Sequence, residues 1–190
     1  AIFNVMVRTV DTLSVLIVDE QRESRTLVRD MLITTGVMNV REAANAEAAL
    51  HQLMLDNSDL VLVELGMNPE AGLETIKAIR DPKRCKQPKV PISVVTGTTD
   101  RRIVFAARDA GVNDFIAKPV SADALHKRLE RLIRNPQEFV ESTAYFGPDR
   151  RRTLRPGPGS VRHGPCGPGW NTPARRPKLF RLRSSGRKSV

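Results

Sequence analysis

Only two of the 190 residues are cysteine, Cys85 and Cys166, and neither belongs to a CxxC pair. A disulfide framework is thereby excluded, and a reducing compartment is the simplest setting. No stretch reaches the roughly 18 uncharged apolar residues of a membrane span. Arg8 and Asp11 interrupt the apolar N-terminal run, which lacks a charged leader region and a clear cleavage site. It is not read as a signal peptide, and the expected location is cytoplasmic, without membrane contact. Acidic residues are missing altogether from the last 41 positions, where 12 basic residues, six Gly and six Pro gather. Residues 1–149 keep the other 19 basic and all 21 acidic residues, a net charge of −2, so the formal +10 belongs to the tail. A uniformly basic, nucleic-acid-binding body is excluded.

The length suits one compact domain with an appendage. Between residues 14 and 135 two periodicities alternate. Apolar, β-branched runs at 15–18, 60–63 and 92–95 predict buried strands, with weaker strands at 39–42 and 114–117. Helical spacing separates them. Leu27, Val28, Met31, Leu32 and Thr35 mark a first helix, stopped by Gly36. Asn45 caps a second, carrying Ala49, Leu50, Leu53 and Met54. Leu73, Ile76, Ala78 and Ile79 mark a third. Ile103, Val104, Ala107 and Ala110 mark a fourth, ended by Gly111. Ser121 caps a fifth, with Leu125, Leu129, Leu132 and Ile133 inward. Five strand–helix units in about 120 residues predict an α/β fold, a doubly wound five-stranded parallel sheet with helices on both faces.

Ligands of such sheets sit beyond the carboxyl ends of the strands. There the sequence offers Asp19 and Glu20, then Glu64, then Thr96 and Gly97, then Lys118 and Pro119. Three carboxylates at one rim repel each other unless a cation joins them, and a hard divalent ion, most simply Mg²⁺, suits oxygen ligands. The ammonium and the hydroxyl suit an anionic group beside that ion.

The motifs VLIVDE (15–20), DLVLVELGM (59–67), Gly72, VVTG (94–97) and DFIAKP (114–119) occur in this order at these spacings. Together they make residues 13–135 resemble the receiver domain of two-component response regulators. The resemblance implies a flavodoxin-like sheet of strand order 2-1-3-4-5. It implies that Asp19, Glu20, the acceptor-position residue Glu64 and the Gly66 carbonyl surround Mg²⁺. Thr96 matches the hydroxyl that senses the phosphoryl group, and Lys118 the lysine that pairs with it. Lys118 and Pro119 match a cis peptide, and Phe115 a switch aromatic. The implied partners are a histidine kinase or another signalling protein. The implied contact surface, also for a homodimer, is the fourth helix, fifth strand and fifth helix. No catalytic output module is visible, so the chain is not read as an enzyme beyond self-phosphorylation and self-dephosphorylation.

Two departures stand out. The family's acceptor is aspartate, and here it is Glu64. The extra methylene displaces the carboxylate, so phosphorylation is expected to be weak or absent, and partial imitation of the phosphorylated state is a second expectation. Met67, Asn68, Pro69 replaces the family's Met-Pro, which points to an altered loop. A phosphorylation-competent receiver and a non-specific nucleic-acid-binding regulator stay open as alternatives. A phosphatase-type hydrolase is disfavoured, because no acid stands two residues after an Asp nucleophile.

Four segments are expected: an arm at 1–12, the receiver-like domain at 13–135, an extension at 136–149, and a disordered basic tail at 150–190. The segment 138–145 is read as extending the last helix or lying across the body. The tail admits three readings: incidental disorder, salt-dependent contact with nucleic acid or an acidic partner, or an out-of-frame product. His163 and Cys166 make only half of a zinc site, and Trp170 is read as an exposed aromatic.

Overall fold

A computed structural model of the chain describes residues 9–66, 68–135, 137–142 and 145–150, without the side chains of residues 132 and 133. The expectations for His163, Cys166, Trp170, the tail beyond Arg150, Met67 and Pro136 lie outside these residues, and those for the Leu132 and Ile133 side chains outside what is described.

The strands are β1 (Ser14–Val18), β2 (Asn39–Ala43), β3 (Leu60–Leu65), β4 (Ile92–Thr96) and β5 (Asp114–Ala117). They pair in parallel in the order β2-β1-β3-β4-β5. Five helices connect them: α1 (Arg22–Thr34), α2 (Ala46–Leu55), α3 (Pro69–Arg80), α4 (Arg101–Asp109) and α5 (Ala122–Arg134). Among the described residues no helix is long and apolar enough to cross a membrane.

Strand side chains alternate faces, and two cores result. Leu16 and Val18, Val61, Val63 and Leu65, and Val94 pack with Ala49, Leu53, Ile76 and Ala107 of α2, α3 and α4. Val15 and Ile17, Leu60 and Leu62, Val95 and Ile116 pack with Val28, Leu32, Leu125 and Leu129 of α1 and α5. The α1 stripe is narrower than its spacing predicts. Val28 and Leu32 are buried, Met31 is half-buried at the margin, and Leu27 beyond it is 58% exposed. Met54, at the end of α2, is likewise 59% exposed.

Local chemistry sets the helix ends. Asn45 accepts from the Ala48 amide at 2.9 Å, and Ser121 from the Ala124 amide at 3.2 Å. Asn68 caps α3 through the Ala71 amide, with Pro69 in the first turn. The shifted proline therefore falls where its fixed φ and missing N–H cost nothing. Gly36 and Gly111 take positive φ, 96° and 99°, after α1 and α4.

Gly72 is required by contact rather than by φ. A Cβ there would stand 2.4 Å from Leu65 Cδ2 and 2.7 Å from the Glu64 carbonyl oxygen. The Gly72→Ala variant is expected to lose about 1–3 kcal/mol, because α3 cannot withdraw from β3 without opening the core. A shift in the urea midpoint at unchanged m-value measures it.

The segment after α5 neither continues the helix nor leaves the body. Residues Phe139–Glu141 (β6) and Phe146–Pro148 (β7) form an antiparallel hairpin. It packs at the amino-terminal end of the sheet, against Gly111 and Asn113 just before β5. Phe139 lies under the guanidinium of Arg80, 4.9 Å from ring centroid to Cζ. Arg150 stacks on Tyr145 and pairs with Asp109 at 2.8 Å and with the Arg108 carbonyl. Arg150, the first residue of the expected tail, is thus tied into the domain.

Candidate functional site

The register brings the expected residues to one rim. Val18 pairs with Val63, Leu65 with Thr96, and Thr96 with Ala117. The residues just beyond or at these pairs are Asp19, Glu64, Thr96 and Lys118. Parity then sorts them. Glu64 follows Leu60 and Leu62, and Lys118 follows Ile116, so both rise on the α1/α5 side. β4 lies between them, which separates their strands by roughly 10 Å. Two long side chains reach across that gap. The Lys118 ammonium donates to Glu64 Oε1 in a close ion pair.

The Glu64 side chain is 12% exposed and that of Lys118 36%. A carboxylate this covered needs an opposite charge to offset its lost hydration. The carboxylate also lies over Gly66, where a Cβ would stand 3.1 Å from Glu64 Cδ. A glycine at that position leaves the room it occupies.

Asp19 is buried and Glu20 exposed. Asp19 Oδ1 accepts from the Gln21 amide at 2.8 Å. Asp19, Glu20, Glu64 and Gly66 line one cavity of about 280 Å³ with Asn45, Asn68 and Thr75. The three expected carboxylates share this cavity but do not form a ready-made ligand cluster. Among the described residues no three His, Cys, Asp or Glu side chains come close enough to share an ion. Glu64 is paired with Lys118 instead, so its charge is answered by an ammonium. Of the four expected donors, Asp19, Glu20 and the Gly66 backbone are not paired with Lys118. Two carboxylates and a carbonyl are hard oxygen donors, and such a set fits Mg²⁺, which keeps several of its own waters.

Thr96 turns inward. Its hydroxyl donates to the Leu65 carbonyl at 3.1 Å and accepts from the Thr98 amide at 3.0 Å. The residue is 6% exposed, and its hydroxyl bonds neither the Glu64 carboxylate nor the Lys118 ammonium. Phe115 has the opposite parity to Lys118 and packs half-buried on the α2–α3–α4 core. The Lys118–Pro119 bond is cis, and the Lys118 amide donates to the Thr96 carbonyl at 2.9 Å. Arg128 of α5 holds β5 through Asp114 at 2.6 Å and the Phe115 carbonyl at 3.1 Å.

One set of contacts was not foreseen. Arg25 of α1 donates to the Asp19 carbonyl at 2.7 Å and the Glu20 carbonyl at 3.3 Å. Its Nε pairs with Glu42 of β2 at 3.1 Å. The sequence signal was present: Arg25 stands in the first turn of the helix that follows the acidic pair, and helical side chains lean back toward the N-terminus.

The model of the response regulator receiver domain matches residues 15–130. The chemotaxis protein CheY of Pseudomonas aeruginosa is 29% identical over 121 residues, 64% of this chain and 96% of that protein. The transcriptional regulatory protein KdpE of Staphylococcus aureus is 30% identical over 128 residues, 66% of this chain and 53% of that protein. Among solved structures, a Thermotoga maritima response regulator superposes with a TM-score of 0.56 at 30% identity, covering 65% of this chain and 98% of that one. The receiver domain of the Pseudomonas aeruginosa PAO1 sensor histidine kinase PA1611 has the same fold, with a TM-score of 0.56 at 24% identity. It covers 64% of this chain and 98% of that one, and its structure holds a magnesium ion in the active site cleft. With the strand order and more than half of the chain matched, this protein belongs to the response regulator receiver domain family of two-component signalling.

Proposed function

We propose that this receiver signals by protein–protein contact and that Glu64 silences its phosphorylation. The observation that carries this reading is the Glu64–Lys118 ion pair. In a receiver the acceptor carboxylate attacks a phosphoryl group, and a lysine ammonium steadies the transferred oxygens. Here one carboxylate occupies the lysine and lies over Gly66. The nucleophile is displaced by its extra methylene, and the ammonium is already neutralised.

Asp19, Glu20 and Gly66 would hold Mg²⁺. Bound there, the ion supplies positive charge against the oxygens of a phosphodonor. Glu64 contributes no attacking oxygen in line with that group. Its charge instead satisfies Lys118 permanently, an imitation of the phosphorylated state that carries less charge and fewer oxygens than a phosphoryl group. The face built from α4, β5 and α5 is the contact surface for a histidine kinase or another signalling protein in this reading.

The test is the intact mass of the natural chain after incubation with Mg²⁺ and acetyl phosphate. An unchanged mass is expected. A phosphoryl adduct on the natural chain overturns the silencing.

A further inference from the structure

We infer that Arg25 is a positioning residue for the cation site, holding the Asp19–Glu20 corner in shape from behind. This rests on the reading that Asp19 and Glu20 bind a divalent cation.

The guanidinium does two things at once. Through Nη1 it donates to both carbonyls of the acidic pair, at 2.7 and 3.3 Å. Through Nε it is anchored by Glu42 at 3.1 Å, and Glu42 is itself held by Arg29 at 3.0 Å. The Arg25 side chain is only 14% exposed. These contacts tie three segments together: α1, which carries Arg25, β2, and the turn after β1. A chain corner whose carbonyls are fixed has its next atoms, the carboxylate-bearing Cα positions, fixed as well.

Electrostatics argues the other way, which makes the role testable. A cation beside the site repels a second cation. If Arg25 acted only through its charge, neutralising it would tighten metal binding. If it acts by holding the corner, neutralising it weakens binding. Loss of a group that orients metal ligands typically costs about 10- to 100-fold in affinity.

The experiment measures Mn²⁺ affinity of the full chain by the electron paramagnetic resonance signal of the free ion, with the metal-free unfolding midpoint alongside. Arg25→Gln is expected to bind at least about 10-fold more weakly. Glu42→Gln, which leaves the carbonyl contacts but loosens the anchor, is expected to weaken binding by a smaller factor. It also keeps the test open should Arg25→Gln fold poorly. Arg25→Lys, which restores a donor, is expected to recover part of the loss. Arg84→Gln removes an exposed charge in the connection before β4, outside this network, and is expected to stay near the natural affinity. Saturable binding by the natural chain with equal or tighter binding by Arg25→Gln overturns the positioning role alone. Absence of saturable binding by the natural chain overturns the metal reading and this role with it.

Discussion

The Glu64→Asp variant is expected to take up one phosphoryl group from acetyl phosphate in the presence of Mg²⁺, while the natural chain takes up none. Removing one methylene withdraws the carboxylate by about 1.5 Å toward β3. Two consequences follow from the geometry. The shortened side chain no longer spans β4 to Lys118, so the ammonium becomes available to an incoming phosphoryl oxygen. The carboxylate also leaves the space over Gly66, where its carbon now lies within 3.1 Å of a would-be Cβ. A misplacement of 1 Å costs on the order of 100-fold in rate, so the variant should react at least about 100-fold faster. Intact mass against time gives both rates. Equal rates would show that the extra methylene is not what silences the site.

The Arg80→Ala variant is expected to be the most destabilised single substitution away from that rim, by about 3–5 kcal/mol. Arg80 is 5% exposed, yet no carboxylate pairs with it among the contacts of the described residues. It donates instead to the carbonyls of Gly111 at 2.9 Å, Pro88 at 2.7 Å and Val90 at 2.6 Å, and to Asn113 Oδ1 at 2.9 Å. Burial pulls its pKa down to about 10, which still leaves it cationic at neutral pH. Removing the guanidinium strands buried acceptors, each worth about 1–3 kcal/mol when left without a donor. It also removes the surface on which Phe139 stacks. Arg80→Met fills the volume but supplies no donor and should lose nearly as much. Urea denaturation measures the loss, and a drop under about 1 kcal/mol would show that the acceptors find other partners.

The alternating periodicities of 14–135 were enough to derive the sheet, because buried parallel strands must be apolar on both faces and their connections must cover them. The strand ends followed from that pattern, and so did the candidate rim. What the pattern could not carry was side-chain reach. Asp19, Glu20 and Glu64 looked like one cation site when placed by strand position alone. Parity puts Asp19, Glu64 and Lys118 on the same face and so does not choose between them; reach and charge do, and the Lys118 ammonium meets the Glu64 carboxylate. Thr96 has the other parity and bonds back to β3. The hairpin was illegible for a different reason. Its strands are three residues each, too short for a period, and its stability comes from Arg80, Gly111 and Asn113, more than 20 residues upstream. Leu27 shows the limit of helical spacing: position on a stripe does not say where the stripe ends.

α4 is fastened differently from its neighbours. Ala107 is its one fully buried residue, whereas α3 buries six. Phe105 projects between Arg101 and Arg108, which stack on its ring from solvent rather than from the core. Little apolar area is therefore surrendered when this helix lifts, and local opening should lie far below global unfolding in free energy. The amides of α4 are then the first of the five helices to exchange with deuterium under native conditions. Because Arg150 grips Asp109 and the Arg108 carbonyl, that fraying should begin at the Arg101 end and advance toward the hairpin.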